Sequence, residues 1–264
     1  MAAVSINEVW DDTLRFFARE RALLLPLGLA TFGLAALIGG LVIPAPETPG
    51  AQPEAGPWML ALVPLMLLVL TGYLAVSRMV LRSHVSVSEA LGDAVRLLPR
   101  AIGLVAAVVL VFVALSLIAG LIAGLIAVAG GLGAQGMLAL GMAIIMPPVI
   151  LVSIRLALLW PVLADREQPM RETFIEAVSL TRGNALKIAA LLAVYFMLYV
   201  LIAAVLEAAV GSLLILLARS IGAPNLGATL ISVLIAAFNA IYMSFWTVLL
   251  AQFYARLIAA SGRG

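Results

Sequence analysis

The chain has no cysteine, which excludes disulfides, thiolate metal sites and thiol nucleophiles. It has one histidine, His84. That residue falls in a connector between apolar runs, so neither a histidine-based metal cluster nor a Ser/His/Asp arrangement within a membrane is to be expected. No GxxxxGK[ST] loop occurs and no carboxylates pair in a plausible cleft, so the reading is of a protein that is not an enzyme and holds no cofactor. Charge is scarce too. Only 11% of the residues are Asp, Glu, Lys or Arg, against roughly a quarter in soluble domains. The formal net charge of +2 is too small to attract nucleic acid.

What is abundant is hydrocarbon. With 65% hydrophobic residues and a mean hydropathy of +1.21 the chain belongs in a bilayer. Its 264 residues are taken up by spans, leaving no soluble catalytic domain and one membrane domain over 1–264. Six segments reach the roughly 20 apolar residues a crossing requires: 22–43, 58–81, 101–129, 137–163, 187–218 and 226–258. The 54 residues between Arg100 and Arg155 carry no charge and divide at the glycine-rich turn 130–136. Proline-rich 44–57 and the Gly222/Pro224 pair mark two further turns. Glu8, Asp11 and Asp12 stand where a secretory signal carries basic residues, so no cleaved signal is expected. Of the fifteen lysines and arginines, all but Arg219 fall on one side of six spans. That side is predicted to be cytoplasmic, with both termini on it.

A stretch at 86–100, SVSEALGDAVRLLPR, has echoes before and after. An offset of 81 sets Ser5, Glu8, Asp12, Arg15 and Arg19 under Ser86, Glu89, Asp93, Arg96 and Arg100. An offset of 83 the other way sets Glu172, Glu176, Ala177 and Val178 under Glu89, Asp93, Ala94 and Val95, with Ser179 and Gly183 in place of the arginines. Ser5-x-x-Glu8 and Ser86-x-x-Glu89 fit the capping box at a helix start. The charges recur on one helical stripe, and Leu91, Val95 and Leu98 fall opposite, as do Trp10, Leu14 and Phe17 in the first copy. Short two-faced helices of this kind are expected to lie along the membrane surface. Pro99, and Gly183 with Asn184, are expected to turn the second and third into their spans, whereas the first copy has no breaker before Pro26. The predicted fold is all-α: six transmembrane helices in three repeats of amphipathic helix plus hairpin, at about 5–85, 86–168 and 169–264, around an axis along the membrane normal.

Few residues interrupt the apolar spans. Arg78, Arg155 and Arg256 each stand near the arginine-rich end of an even-numbered span. Arg155 has two readings: a snorkelling arginine that pairs with Asp165, Glu172 or Glu176, or part of a substrate path. Glu207 is 20 residues past Lys187, about 30 Å of rise, which sets it at the far interface rather than in a proton relay. Pro147 and Pro148 form a double breaker that kinks span four or opens carbonyls to a cavity. Gly120-x-x-x-Gly124, flanked by Ala119, Ala123 and Ala127, suits close helix packing.

The stretch EAVSLTRGNALKIAALLAVY at 176–195 resembles a bacterial family of six-helix membrane proteins. These are the membrane domain found N-terminal to some glycerophosphodiester phosphodiesterases, and the stand-alone inner-membrane proteins similar to it. The resemblance implies a multi-pass bacterial inner-membrane protein. The phosphodiesterase's metal-binding carboxylates and histidines have no counterpart in these residues, so no activity follows. The functional expectation is a non-enzymatic protein whose amphipathic helices, through Arg15, Arg19, Arg96 and Arg100, engage membrane lipid headgroups or a partner membrane protein or complex. The alternative is a small transporter or lipid-handling permease using the central axis.

Overall fold

The computed structural model describes residues 5–44, 54–82, 85–166 and 168–261, which are helical almost throughout and contain no strand. The α-helices among them are α1 (Ile6–Gly28), α2 (Leu34–Val42), α3 (Leu62–Leu81), α4 (Val87–Gly130), α5 (Ala134–Leu156), α6 (Leu159–Asp165), α7 (Met170–Thr181), α8 (Ala185–Val205), α9 (Ser212–Ser220) and α10 (Pro224–Ser261). π-helical turns at Leu29–Gly33 and Leu206–Gly211 join α1 to α2 and α8 to α9 without a break. Six stretches are long and apolar enough to cross a membrane: Ile6–Val42, Pro57–Leu81, Val87–Gly130, Ala134–Asp165, Ala185–Ser220 and Leu226–Ala260. The protein is therefore an all-α, multi-pass membrane protein. His84 and most of the connector at 47–56 lie outside the described residues.

The expected turns form where backbone chemistry requires them. Gly131 closes α4 at φ 63°. The N–H of Leu132 reaches the carbonyl of Ala127 at 2.9 Å, and that of Gly131 reaches Val128 at 3.5 Å. This pair of bonds satisfies carbonyls that the helix end leaves open, and glycine adopts the left-handed conformation without penalty. Gly222, at φ 73°, closes α9 in the same way.

Two of the three expected surface helices do not exist as separate elements. The segment from Ser5 runs straight into its span through α1. The segment from Ser86 is the first part of α4, whose 44 residues make about 66 Å of helix against a hydrocarbon core of about 30 Å. Pro99 sits inside α4 without ending it. Its own position is exposed, and Ala94, Leu97, Ala101 and Leu104 on either side of it are all buried. Packing on both flanks outweighs the one hydrogen bond that proline removes. Only the third copy is separate: α7 ends at Thr181, Gly183 takes φ 84°, and α8 begins at Ala185.

The buried face also differs from the sequence expectation. Val95 is 56% exposed and Leu14 46%. The fully buried positions are instead Ala90 and Ala94, with Val9 and Thr13 at the same offsets in α1 and Thr173 and Ala177 at the same offsets in α7. These lie about a quarter-turn from the charged stripe rather than opposite it. Small residues there let the helices approach closely, so the charges flank an interface.

At the arginine-rich end, α3, α6 and α10 pack against one another. Leu74, Ala75, Val76, Val162, Leu163, Ala164, Leu249 and Phe253 are buried to 2% or less between these helices and their neighbours. Around this centre α1 lies on α10, α4 on α3, and α7 on α6. The approach of α1 to α10 is close enough that a Cβ at Gly28 would stand 2.2 Å from Ser244 Oγ and 3.1 Å from the Ala240 carbonyl. Towards the other end the α4–α5 hairpin packs on itself through Ala119, Ala123 and Ala127, and α5 has no buried residue. Gly120 and Gly124 face open space, with no atom within 4 Å of where a Cβ would stand. The close-packing expectation is thus met by the alanines and not by the glycines.

Candidate functional site

The chain's charged side chains gather where α1, α4, α7 and α8 begin and α3, α6 and α10 end. Ser86 caps α4: the Glu89 N–H donates to Ser86 Oγ at 3.3 Å, and the Ser86 N–H donates to Glu89 Oε2 at 2.9 Å. The corresponding box at Ser5 does not form. Its glutamate, Glu8, is drawn instead into an ion pair with Arg256 at the end of α10, a charged partner that a serine hydroxyl does not match.

The second acid of each copy is bound by an arginine from elsewhere in the chain. Asp12 accepts from Arg256 Nε at 2.7 Å. Asp93 lies 3.8 Å from Arg78 Nε and 3.8 Å from Arg82 Nη1, both at the end of α3. Glu176 lies 3.5 Å from Arg166 Nη1, just after α6. The order is cyclic: Arg78 at the end of α3 holds α4, Arg166 after α6 holds α7, and Arg256 near the end of α10 holds α1. Tyr254 adds a cross-link by donating to Asp165 Oδ2 at 2.8 Å.

The sequence-predicted residues divide accordingly. Arg78 and Arg256 belong to this interlock, and Arg78 is only 1% exposed. Arg155 does not pair with Asp165, Glu172 or Glu176; Arg166 takes Asp165 and Glu176 instead. α5 gives way after Leu156, and the short α6 carries the chain on to set Arg166 against α7. Arg155 Nη1 is occluded with no hydrogen-bond partner. Arg15 lies 2.8 Å from Asp12, which Arg256 also holds, and Arg19 lies 2.9 Å from Glu20, so each has a carboxylate on its own helix. Arg96 and Arg100 have no carboxylate within ion-pair distance among the described residues. Glu207 is exposed in the π-helical turn, towards the other end. Pro147 and Pro148 sit inside an uninterrupted α5; the break follows nine residues later at Ala157, and neither proline lines the cavities below.

Two recesses adjoin the charged end. One, of about 810 Å3, lies between α1 and the end of α3 and includes Phe16, Arg19, Met79 and Gln252. The other, of about 380 Å3, lies between α3, α4, α5, α6, α8 and α10. An aromatic cluster borders the second: Tyr73 stacks on Trp160 with centroids 6.0 Å apart and Tyr195 on Trp246 at 4.6 Å. The hydroxyls of Tyr195 and Tyr242 donate to each other's backbone carbonyl, tying α8 to α10. Sequence reading missed Arg166 and these aromatics. Arg166 left only a slight signal, standing just past an apolar run as Arg82 does. The pairing of aromatics from different spans left no such trace. Comparisons of the chain with protein families, with curated proteins and with solved structures find no match.

Proposed function

We propose that this is a non-enzymatic membrane protein of three related units, with its charged end in the cytoplasm, where it binds anionic lipid headgroups through Arg96 and Arg100 of the second unit. The observation that carries the reading is the division of charge within the stripe. Its acids are engaged by Arg78, Arg82, Arg166 and Arg256, so they do not cancel Arg96 and Arg100. Two free guanidinium groups at the headgroup level attract anionic lipid by about 1 kcal/mol each, screened by salt. The shared register of buried positions and the cyclic ion pairs support three units around one axis. They also weigh against transport along that axis, because the side chains at the centre of the charged end are buried and in contact. An inner-membrane location rests on the family resemblance and the arginine bias.

The test is lipid selectivity in nanodiscs that mix phosphatidylglycerol with phosphatidylcholine, read with spin-labelled lipids. The wild-type chain is expected to enrich phosphatidylglycerol, less so at high salt, and Arg96→Glu with Arg100→Glu to abolish the enrichment. Unchanged enrichment in that variant overturns the headgroup reading. Loss of a copurifying membrane protein with enrichment intact replaces it by the partner reading.

A further inference from the structure

The 380 Å3 cavity has a chemistry of its own. Its walls are apolar and aromatic, among them Tyr73, Val108, Phe112, Trp160 and Trp246, with Ser153 on α5 and no charged side chain. The Tyr73 hydroxyl is occupied, donating to Met243 Sδ at 3.6 Å. The indole N–H groups of Trp160 and Trp246 make no hydrogen bond among the described residues, and neither nitrogen is among the occluded polar atoms. An indole N–H can only donate, and a donor left without an acceptor at membrane depth is costly. The group that complements this lining is an uncharged acceptor attached to hydrocarbon, such as an ester carbonyl.

Several of the helices that line the cavity lead to a cation a few residues towards the charged end. On α3 Arg78 follows Tyr73 by five residues, on α4 Arg100 precedes Val105 by five, and on α8 Lys187 precedes Leu192 by five. Arg166 and Arg256 each lie six residues beyond the last lining residue of α6 and α10, whereas Arg155 stands between the lining residues Ser153 and Leu156, at the depth of the cavity itself. Arg78, Arg166 and Arg256 are held by Asp93, by Asp165 with Glu176, and by Glu8 with Asp12. Arg100 and Arg155 have no carboxylate among the described residues, and Arg155 Nη1 is occluded without a partner. Five residues of helix rise about 7.5 Å, close to the spacing between a lipid's phosphate and its ester groups. α5, which forms one wall, has no buried residue.

We infer that this cavity seats one phospholipid of the inner leaflet, its ester carbonyls on the indole N–H groups of Trp160 and Trp246 and its anionic phosphate towards Arg100. This deepens the headgroup reading above and rests on it for the sign of the head. The test is native mass spectrometry of the detergent-purified full chain titrated with phosphatidylglycerol and, separately, with phosphatidylcholine. The wild-type chain is expected to show one tight phosphatidylglycerol step ahead of weaker ones. Trp160→Phe with Trp246→Phe keeps a six-membered aromatic ring at each site and removes both donors, and is expected to weaken that step about fivefold per lost hydrogen bond. Val108→Trp, which fills the cavity, is expected to abolish it. Persistence of the tight step at wild-type strength in the Phe pair overturns the cavity assignment, whatever becomes of the bulky variant and whether or not anionic selectivity stands. A step equally tight for both lipids, and weakened by the Phe pair, keeps the cavity and overturns the anionic headgroup reading.

Discussion

Asp12, Asp93 and Glu176 occupy the same register position in three stretches, yet their surroundings differ enough to rank them. Arg78 beside Asp93 is 1% exposed, whereas Arg256 beside Asp12 and Arg166 beside Glu176 are each about a third exposed. Removing the carboxylate that faces a buried guanidinium is severe, while solvent screens the other two pairs. Asp93→Asn is therefore expected to lower stability by about 3 kcal/mol and Asp12→Asn by about 1 kcal/mol. Unfolding in detergent checks the ranking, and equal losses would mean that Arg78 is held by contacts other than Asp93. The charged residues themselves were legible in the sequence. Their partners were not, because an arginine 244 residues away from its aspartate, as Arg256 is from Asp12, is brought close only by the closure of the bundle.

At the scale of elements, the instructive case is α4. A proline after a charged stripe reads as a corner, but a helix held by buried residues before and after the proline continues through it. Spin labels at Ser88 and Leu110, both exposed, bracket Pro99 by eleven residues on each side. A continuous helix sets the two Cα atoms about 33 Å apart, whereas a right-angled turn at Pro99 sets them about 23 Å apart. Double electron–electron resonance separates the two, and the shorter distance would restore a separate surface helix. α7 is the contrasting element. There Gly183 supplies a left-handed residue that ends the helix outright, a local requirement that sequence reading can meet.

For the whole molecule, six crossings put the 130–136 and 219–225 turns on one face of the membrane and the start of α4 on the other. The absence of cysteine makes single-cysteine mapping clean. A membrane-impermeant maleimide applied to spheroplasts is expected to label Gly133→Cys and Ile221→Cys, and to label Ser88→Cys only after permeabilisation. Labelling of Ser88→Cys and Gly133→Cys from the same side would mean that α4 does not cross, and the topology would fall.

What the sequence determined alone is what hydrocarbon and local backbone chemistry dictate. An apolar run of sufficient length has no stable place but the bilayer, a glycine-rich or proline-bearing gap must turn, and arginines keep to one side. Those rules gave six helices, the 130–136 and 219–225 turns and the charged end. Tertiary structure decided which face of each helix is buried, that Pro99 lies within a helix, and that Arg166 rather than Arg155 meets Glu176. It also decided that Trp160, Trp246 and Tyr73 share one cavity. Each of these depends on contacts between segments far apart in the chain, whose energies are settled by packing and charge pairing after the bundle closes.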